Sequence, residues 1–404
     1  MATGEGNLLA ECVRLIEAAG RGRGRFAALI DDIARRYAPA VHIATFLTLI
    51  GCWLWREAEA GEMLQAATAL LIVTCPCALA LAVPAVQVAA TSRLRRAGVL
   101  VRSPTALERL AAIDTVVFDK TGTLTERDLR LEPEPGRTPA DLVCAASLAA
   151  GSRHPLARAL AAAAGPVPPL GGIEAVAGAG LRTRTVAGEI RLGSAAFCGI
   201  VGQPGTIGPE MWLTRPGLPP CRFAFAERPR ADASETVAAL RDMGLAPRLL
   251  SGDRVPAVER VAEVCGIDDW QGATSPPGKV AALTELRSGG HQVLMVGDGL
   301  NDGPALAAAT VSMSPANAAD LSQTAADLVF QGDRLGPIVL ALRTARRAQR
   351  LIRQNIALSI GYNLVLIPLA FAGLVTPWLA AAIMTSSALL VVLNSFRLGI
   401  VASR

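Results

Sequence analysis

Four apolar runs constrain this chain more than any other feature. They cover residues 38–55, 63–89, 356–373 and 376–396, and each is long enough, or nearly so, to cross a bilayer as a helix. The runs pair into two hairpins. Their links, REAEAGE and AGLVTP, carry no positive excess, whereas the outer ends carry RGRGR, RLRR, RTARRAQRLIR and the terminal arginines. Positive flanks mark the cytoplasmic side of a membrane, so both chain ends, and the whole block from Arg95 to about Arg347, are expected in the cytoplasm. Buried helices of a water-soluble protein are the competing reading; four paired runs with consistent charge flanks make it the weaker one.

Composition agrees with a membrane location. Hydrophobic residues make up 51% of the 404 residues, and the mean hydropathy of +0.39 is high for a soluble protein. A net charge of +5 raises the question of nucleic acid, but the arginines sit beside apolar runs and aromatics are only 4%, so no nucleic-acid partner is expected. Of eight cysteines only Cys75 and Cys77 are close together; a disulfide framework is not expected, and a reducing compartment fits. The first 36 residues, with LLAECVRLIEAA and RFAALIDDIARRYA, read as amphipathic helix rather than as a secretory signal.

Within the cytoplasmic block, TVVFDKTGTLT reads as a buried parallel strand that delivers Asp119 to its C-terminal tip. Ligands of open α/β sheets bind at such tips. APRLLSGD and HQVLMVGDGLND repeat the design with Asp253 and with Asp298 and Asp302. Carboxylates gathered around one point require a cation, and oxygen-only ligands favour Mg²⁺ shared with a phosphate. The chain has only two lysines among its 39 Lys plus Arg, Lys120 directly after Asp119 and Lys279 in SPPGK. An aspartate that attacks a phosphoryl group needs cations against the phosphoryl oxygens. Lys279 is the expected point charge there, and Lys120 is expected to fix the nucleophile's loop. Two residues after the nucleophile, where a phosphatase of this design has an acid/base aspartate, stands Thr121; an aspartyl phosphate should therefore persist, which suits an energy coupler.

DKTGTLT, SGD and GDGLNDGPAL resemble the phosphorylation domain of P-type ATPases, built on the haloacid-dehalogenase type of fold. The resemblance implies a multidomain α/β protein with an α-helical membrane part: a haloacid-dehalogenase-like phosphorylation domain, an inserted α+β nucleotide-binding domain and four transmembrane helices. It implies that Asp119 is phosphorylated by ATP, that Thr121 and Asp298 complete the Mg²⁺ site with Asp302 nearby, and that Thr123, Asp253 and Lys279 surround the phosphoryl group. FAERPRADA is similar to the stretch that re-enters this domain, with Glu227 where an aspartate is more common. In the insert, SRHPLARAL and GAGL resemble the nucleotide-binding domain of the heavy-metal branch. The expectation is adenine stacking on His154 and close backbone approach at Gly178 and Gly180. Ala149 occupies a position often held by glutamate.

The second apolar run contains VTCPCALALAVP. Pro76 and Pro84 each free backbone carbonyls, tolerable in a membrane only beside protein or a cavity, and two thiolates at a distorted helix are soft ligands suited to Cu(I) or Zn²⁺. The motif matches the Cys-Pro-x signature of heavy-metal P-type ATPases. GYNLVLIPLA and MTSSALLVVLN resemble the copper-type membrane partners, which makes Tyr362, Asn363, Met384 and Ser387 candidate ligands or supports. Ala388 falls where a second serine is usual. The wording of ALAAATVSMSPANAADLSQTAADLVF, with SRHP, is similar to the branch that supplies copper to cbb-type cytochrome oxidases.

The resemblance divides the chain into the end of an actuator domain with its exit helix (1–36), a transmembrane hairpin with Cys-Pro-Cys (37–95), the phosphorylation domain in two parts (96–126 and 223–345), the nucleotide-binding domain (127–222) and a last hairpin (346–404). The family's metal-binding domain, four further helices and most of the actuator domain are expected to precede Met1. TGEG at 3–6 is not expected to be the actuator's catalytic loop, since about thirty residues separate it from the first span. The implied activity is ATP-driven translocation of a heavy-metal ion, Cu(I) first, in a cell (inner) membrane crossed several times, with a metallochaperone as a possible donor. Two alternatives are a Zn²⁺ pump, which would usually show a charged residue in the last helices where 356–395 has none, and a membrane-anchored phosphatase, which Thr121 disfavours.

Overall fold

The computed structural model describes residues 59–400 apart from 76, 127–128, 153, 177, 202–207, 299–301 and 316–325, together with scattered positions between 39 and 54. The expected actuator segment 1–36 and parts of the expected span 38–55 lie outside the described residues.

In chain order the elements are α1 (Ala60–Val73), α2 (Cys77–Ala82), α3 (Pro84–Arg96), β1 (Val99–Val101), α4 (Ala106–Ala111), β2 (Thr115–Phe118), β3 (Arg130–Leu131), α5 (Pro139–Ala149), α6 (Pro155–Ala164), β4 (Glu174–Val176), β5 (Gly180–Thr185), β6 (Gly188–Gly193), β7 (Glu210–Thr214) and β8 (Cys221–Ala226). They continue with α7 (Ala233–Asp242), β9 (Ala246–Leu250), α8 (Val255–Cys265), β10 (Asp269–Gln271), α9 (Pro276–Ser288), β11 (Val293–Val296), α10 (Gly303–Ala308), β12 (Val311–Pro315), β13 (Leu328–Phe330), α11 (Gly336–Phe371) and α12 (Pro377–Ile400).

Two sheets divide the block between the apolar helices. The first runs β1-β13-β12-β11-β2-β9-β10, parallel throughout except for β1, which pairs antiparallel with β13. Its central strands TVVF and VLMV are buried at every position, as expected for strands covered by helices on both faces. The neighbours β11, β2 and β9 bring the ends that precede Asp298, Asp119 and Asp253 side by side. The second sheet, β3-β8-β7-β6-β5-β4, is antiparallel and is inserted between β2 and β9 in sequence. It packs α5 and α6 on its own core around Leu148, Leu160, Phe223 and Phe225.

Three stretches among the described residues are long and apolar enough to cross a membrane: Ala60–Arg96, Gly336–Phe371 and Pro377–Gly399. The first is a rod broken into α1, α2 and α3. The prolines of the sequence explain the breaks, and side chains satisfy carbonyls beside them. Thr74 Oγ1 donates to Leu70 O (2.7 Å), and Asn355 Nδ2 donates to Ala82 O (3.4 Å) just ahead of Pro84.

The helix α11 is longer than its apolar stretch. Hydropathy rises at Ile356, but the helix begins at Gly336, because its basic first half is as good a helix former as its apolar second half. Thirty-six residues make a rod of about 54 Å. Ile338, Ala341, Leu342 and Ala345 bury into the same core as Val116, Phe118 and Leu294 of the parallel sheet, and Val86, Ala90 and Leu94 of α3 join it. One hydrophobic core therefore ties the parallel sheet to two helices that continue into the apolar bundle.

Candidate active site and membrane site

Asp119 follows β2, and its backbone N–H donates to Val296 O (2.9 Å) on β11, which fixes the strand tip. The chain then turns sharply over Lys120–Leu124. Gly122 takes φ +70°, a left-handed conformation that favours glycine. Arg230 holds the turn from the far side of the insert: its Nη2 donates to Gly122 O (2.9 Å) and its backbone N–H to Leu124 O (2.8 Å).

The carboxylates form two lysine-centred groups rather than one ring. In the first, Lys279 Nζ donates to Asp119 Oδ1 (2.6 Å) and Asp302 Oδ1 (2.8 Å), and all three side chains are nearly sealed from solvent. Ser275 caps the helix that carries Lys279, its Oγ accepting from Gly278 N (3.3 Å). In the second, Lys120 Nζ lies 2.7 Å from Glu227 Oε2 and 2.8 Å from Asp253 Oδ2. Thr121 Oγ1 donates to Asp253 Oδ2 (3.1 Å), and Ser251 Oγ donates to the same oxygen (3.2 Å).

Burial pushes the Asp119 carboxyl up to about 7, with the Asp302 charge adding and Lys279 opposing. Burial alone would lower the pKa of Lys279, but the Asp119 and Asp302 carboxylates hold it above the ordinary lysine value. Lys120 is likewise raised, its hydrogen bonds to Asp253 and Glu227 outweighing burial. Asp253 is lowered because the Lys120 ammonium outweighs desolvation.

Thr123 is fully buried, and its Oγ1 has no hydrogen-bond partner among the described residues. Asp298 is half-buried at the end of β11. No group of three or more His, Cys, Asp or Glu side chains suited to a metal occurs among the described residues, so Asp119, Asp298 and Asp302 are not drawn into one such cluster. What fits a divalent ion is the charge: Asp119 and Asp302 are two buried carboxylates sharing one lysine, a crowding that raises Asp119. Mg²⁺ keeps water and phosphate ligands of its own, so one or two carboxylates suffice.

In the insert, His154 is exposed at the start of α6, its Nδ1 accepting from Leu156 N (3.3 Å). The ring thus caps a helix. Gly178 has φ +71° and open space where a Cβ would be. Gly180 is crowded, but by its own sheet: a Cβ there would meet Leu192 O at 2.3 Å and Gly193 Cα at 2.7 Å. The close approach at Gly180 is thus strand on strand.

In the bundle, the Cys75 and Cys77 sulfurs are joined to each other, with Cα atoms 5.5 Å apart. The expected pair of soft ligands requires the reduced form, in which both sulfurs are thiolates. The hydroxyl of Tyr362 and the amide oxygen of Asn363 are buried without a hydrogen-bond partner among the described residues. Tyr362 packs against the cluster of Ala78, Ala82 and Val391, which links α11 to α2 and α12. Ser387 Oγ donates back to Met384 O (2.8 Å) within α12. Buried polar atoms without partners are costly.

Residues 113–310 match the model of the haloacid dehalogenase-like hydrolases. Over 97% of its length the chain is 45% identical to the nitrogen fixation protein FixI of Rhizobium meliloti, and over 98% it is 36% identical to a copper-exporting P-type ATPase of Mycobacterium tuberculosis. Among solved structures, a zinc-transporting PIB-type ATPase in the E2.Pi state superposes with a TM-score of 0.74 at 29% identity, covering 95% of this chain and 66% of that one. Over nearly its whole length the chain is thus similar to metal-transporting P-type ATPases. It spans about half the length of the curated relatives it matches, 52% of FixI and 54% of the copper-exporting enzyme. The haloacid dehalogenase-like match covers most of the parallel sheet and the antiparallel sheet inserted in it. A P-type ATPase is a membrane protein, which agrees with the apolar helices.

Two groups of this chain escaped sequence reasoning. The Lys120–Glu227 pair and the Arg230 clamp join residues more than a hundred positions apart; the only hint was the charged stretch FAERPRADA. The buried Asn355, hydrogen-bonded to Asn394 and Ser395, lies at the edge of an apolar run and gave no signal of its own.

Proposed function

We propose that this chain carries the phosphorylation and ion-binding machinery of an ATP-driven heavy-metal pump, with Cu(I) as the ion. Asp119 attacks the γ-phosphorus of ATP; the bond from Asp119 oxygen to phosphorus forms as the bond to the β,γ-bridging oxygen breaks, and ADP leaves. Lys279, held as an ammonium by its two carboxylates, supplies the fixed positive charge. The buried Thr123 hydroxyl, without a partner otherwise, suits a phosphoryl oxygen. Asp119 and Asp302, with Asp298 and Thr121 at the rim, would hold Mg²⁺, whose charge offsets that of the phosphates. Lys120 positions the loop through Glu227 and Asp253. The insert would bring the nucleotide, with His154 and Gly178 toward the base. Reduced Cys75 and Cys77 would take the ion from a soluble metallochaperone, with Tyr362, Asn363, Met384 and Ser387 around it. Both chain ends would lie on the cytoplasmic side of the inner membrane.

The observation that carries this reading is Lys279 bridging Asp119 and Asp302 at the tip of the strand bearing the phosphorylation motif. Incubation with γ-labelled ATP and Mg²⁺ should give an acid-stable, hydroxylamine-labile label that is absent in Asp119→Asn; a label that persists in that variant excludes Asp119. Cu(I) binding to the reduced protein should disappear in Cys75→Ser and in Cys77→Ser. Zn²⁺ remains the second reading, favoured by the zinc-transporting structural neighbour. A preference for Zn²⁺ over Cu(I) at the cysteine pair would establish it.

A further inference from the structure

Where the apolar helices meet the phosphorylation domain, α3, α11 and α12 leave a groove of about 1330 Å³ between them. Its upper wall carries Arg93, Arg96, Arg334, Arg343 and Arg347, against the carboxylates of Asp232 and Glu235. Asp232 is already engaged, its Oδ2 accepting from the backbone N–H groups of Leu335 and Gly336. A smaller cavity of about 260 Å³ adjoins it through Arg347 and adds Arg350, Arg397 and Gln354. The lower wall is apolar. Leu81, Val88 and Phe396 line it, and Val88 is 70% exposed and Phe396 57%.

The plain account of these arginines is that they flank membrane helices and cap them. It covers part of what is seen: Arg93 Nη1 donates to Leu398 O (2.7 Å), and Arg347 Nη2 to Arg397 O (3.2 Å), so both satisfy carbonyls in the last turn of α12. A guanidinium has five N–H donors, and each of these two spends one among the described residues. None of Arg93, Arg96, Arg334, Arg343, Arg347, Arg350 and Arg397 forms an ion pair among the described residues. Elsewhere in the protein arginines do pair, as Arg222 with Glu134 (2.6 Å) and Arg182 with Glu174 (3.0 Å). Positive charge has thus been concentrated, in excess of the carboxylates of Asp232 and Glu235, on one ledge beside exposed apolar side chains.

We propose that this ledge holds the headgroup of an anionic phospholipid from the leaflet facing the phosphorylation domain. The phosphate would sit on Arg93, Arg96 and Arg347, with the upper acyl chains along Leu81, Val88 and Phe396. The donor set matches a phosphate in charge and geometry, and basic pockets between membrane helices on this side favour such headgroups. A free phosphate would leave the apolar wall uncovered; a lipid covers both. Because α3 and α11 share the core of the phosphorylation domain, a lipid bound here touches the joint between that domain and the bundle. The inference does not depend on which metal is pumped.

The test uses the full chain in detergent, titrated with short-chain phosphatidylglycerol and followed by native mass spectrometry, with short-chain phosphatidylcholine and inorganic phosphate as controls. Phosphatidylglycerol should bind at one or two copies, at least tenfold tighter than phosphatidylcholine, and phosphate alone should not displace it. Arg93→Gln with Arg347→Gln should weaken that binding at least tenfold, while the double Arg→Lys variant, which keeps the charge and confirms folding, should retain a preference for phosphatidylglycerol. Arg184→Gln, on the exposed edge of the insert, should change nothing. Equal binding of the two lipids overturns the proposal and leaves the groove to a segment of the chain itself. Displacement by phosphate alone overturns it in favour of a free anion, and unaltered binding in the double Gln variant places any lipid elsewhere.

Discussion

Lys120 and Glu227 form a largely buried ion pair, 2.7 Å apart, that joins the loop after Asp119 to the chain returning from the insert. The same ammonium reaches Asp253 at 2.8 Å, so one compact charge closes the two halves of the parallel-sheet domain around the strand tips. Lys120 is itself buried, and two carboxylate acceptors match its compact ammonium better than a five-donor guanidinium.

Lys120→Arg should therefore slow phosphorylation although it conserves charge. Unpaired donors in a buried site cost about 1–3 kcal/mol, equivalent to roughly tenfold or more in rate. The rate of label incorporation from ATP checks this. A rate equal to the parent's would mean the loop tolerates the larger group.

Asp119 makes stability depend on pH with a defined sign. Its carboxyl is pushed up from 3.8 to about 7 in the folded protein, so the folded state holds this proton more tightly than the unfolded chain does. That contribution is fully present below about pH 4 and is lost as the pH rises through about 7. Without magnesium, the unfolding temperature of the parent should fall more steeply between pH 4 and pH 8 than that of Asp119→Asn, and added Mg²⁺ should narrow the gap. Parallel pH curves for the two proteins would remove Asp119 as the cause.

These residues differ in how visible they were before the fold was known. Asp119, Asp253 and Asp302 could be placed because each follows a short buried strand, and strand tips of a parallel sheet converge. Lys279 was marked by rarity. Sequence could not divide the carboxylates between two lysines, since that division depends on Glu227 and Arg230, which return from beyond the insert. The apolar run from Ile356 marks only the second part of a helix that begins at Gly336, because helix formation does not follow hydropathy. Gly180 carried the sequence cue of a nucleotide glycine, yet what crowds it is Gly193 of the neighbouring strand.

That last distinction separates two glycines by experiment. Gly180→Ala places a methyl 2.3 Å from Leu192 O, with backbone on both sides and nothing to yield; the insert should lose about 2 kcal/mol or more of stability. Gly178→Ala meets no atom within 4 Å and is strained only by its φ of +71°, a cost of about 1 kcal/mol. If Gly178 lies against nucleotide, its alanine variant should weaken ATP binding several-fold while unfolding close to the parent temperature. Unchanged binding by titration calorimetry would make it a turn residue alone.

Asn355 offers the sharpest test of how the bundle is held together. Its side chain is fully buried, donates to Ser395 Oγ (3.1 Å) and Ala82 O (3.4 Å), and accepts from Asn394 Nδ2 (2.8 Å). One amide thus links α11 to α12 and to the carbonyl exposed at the break before Pro84. Asn355→Leu fits the volume but leaves Asn394 and Ala82 without this partner, so the bundle should be destabilised by about 1–3 kcal/mol. Asn394→Leu removes one arm of the same network, and the two changes should not add: a double-mutant cycle on the unfolding of the full chain in detergent should give a coupling of about 0.6–1.7 kcal/mol. Zero coupling would mean that apolar packing alone holds α11 and α12 together, and that the break before Pro84 is satisfied by some group other than Asn355.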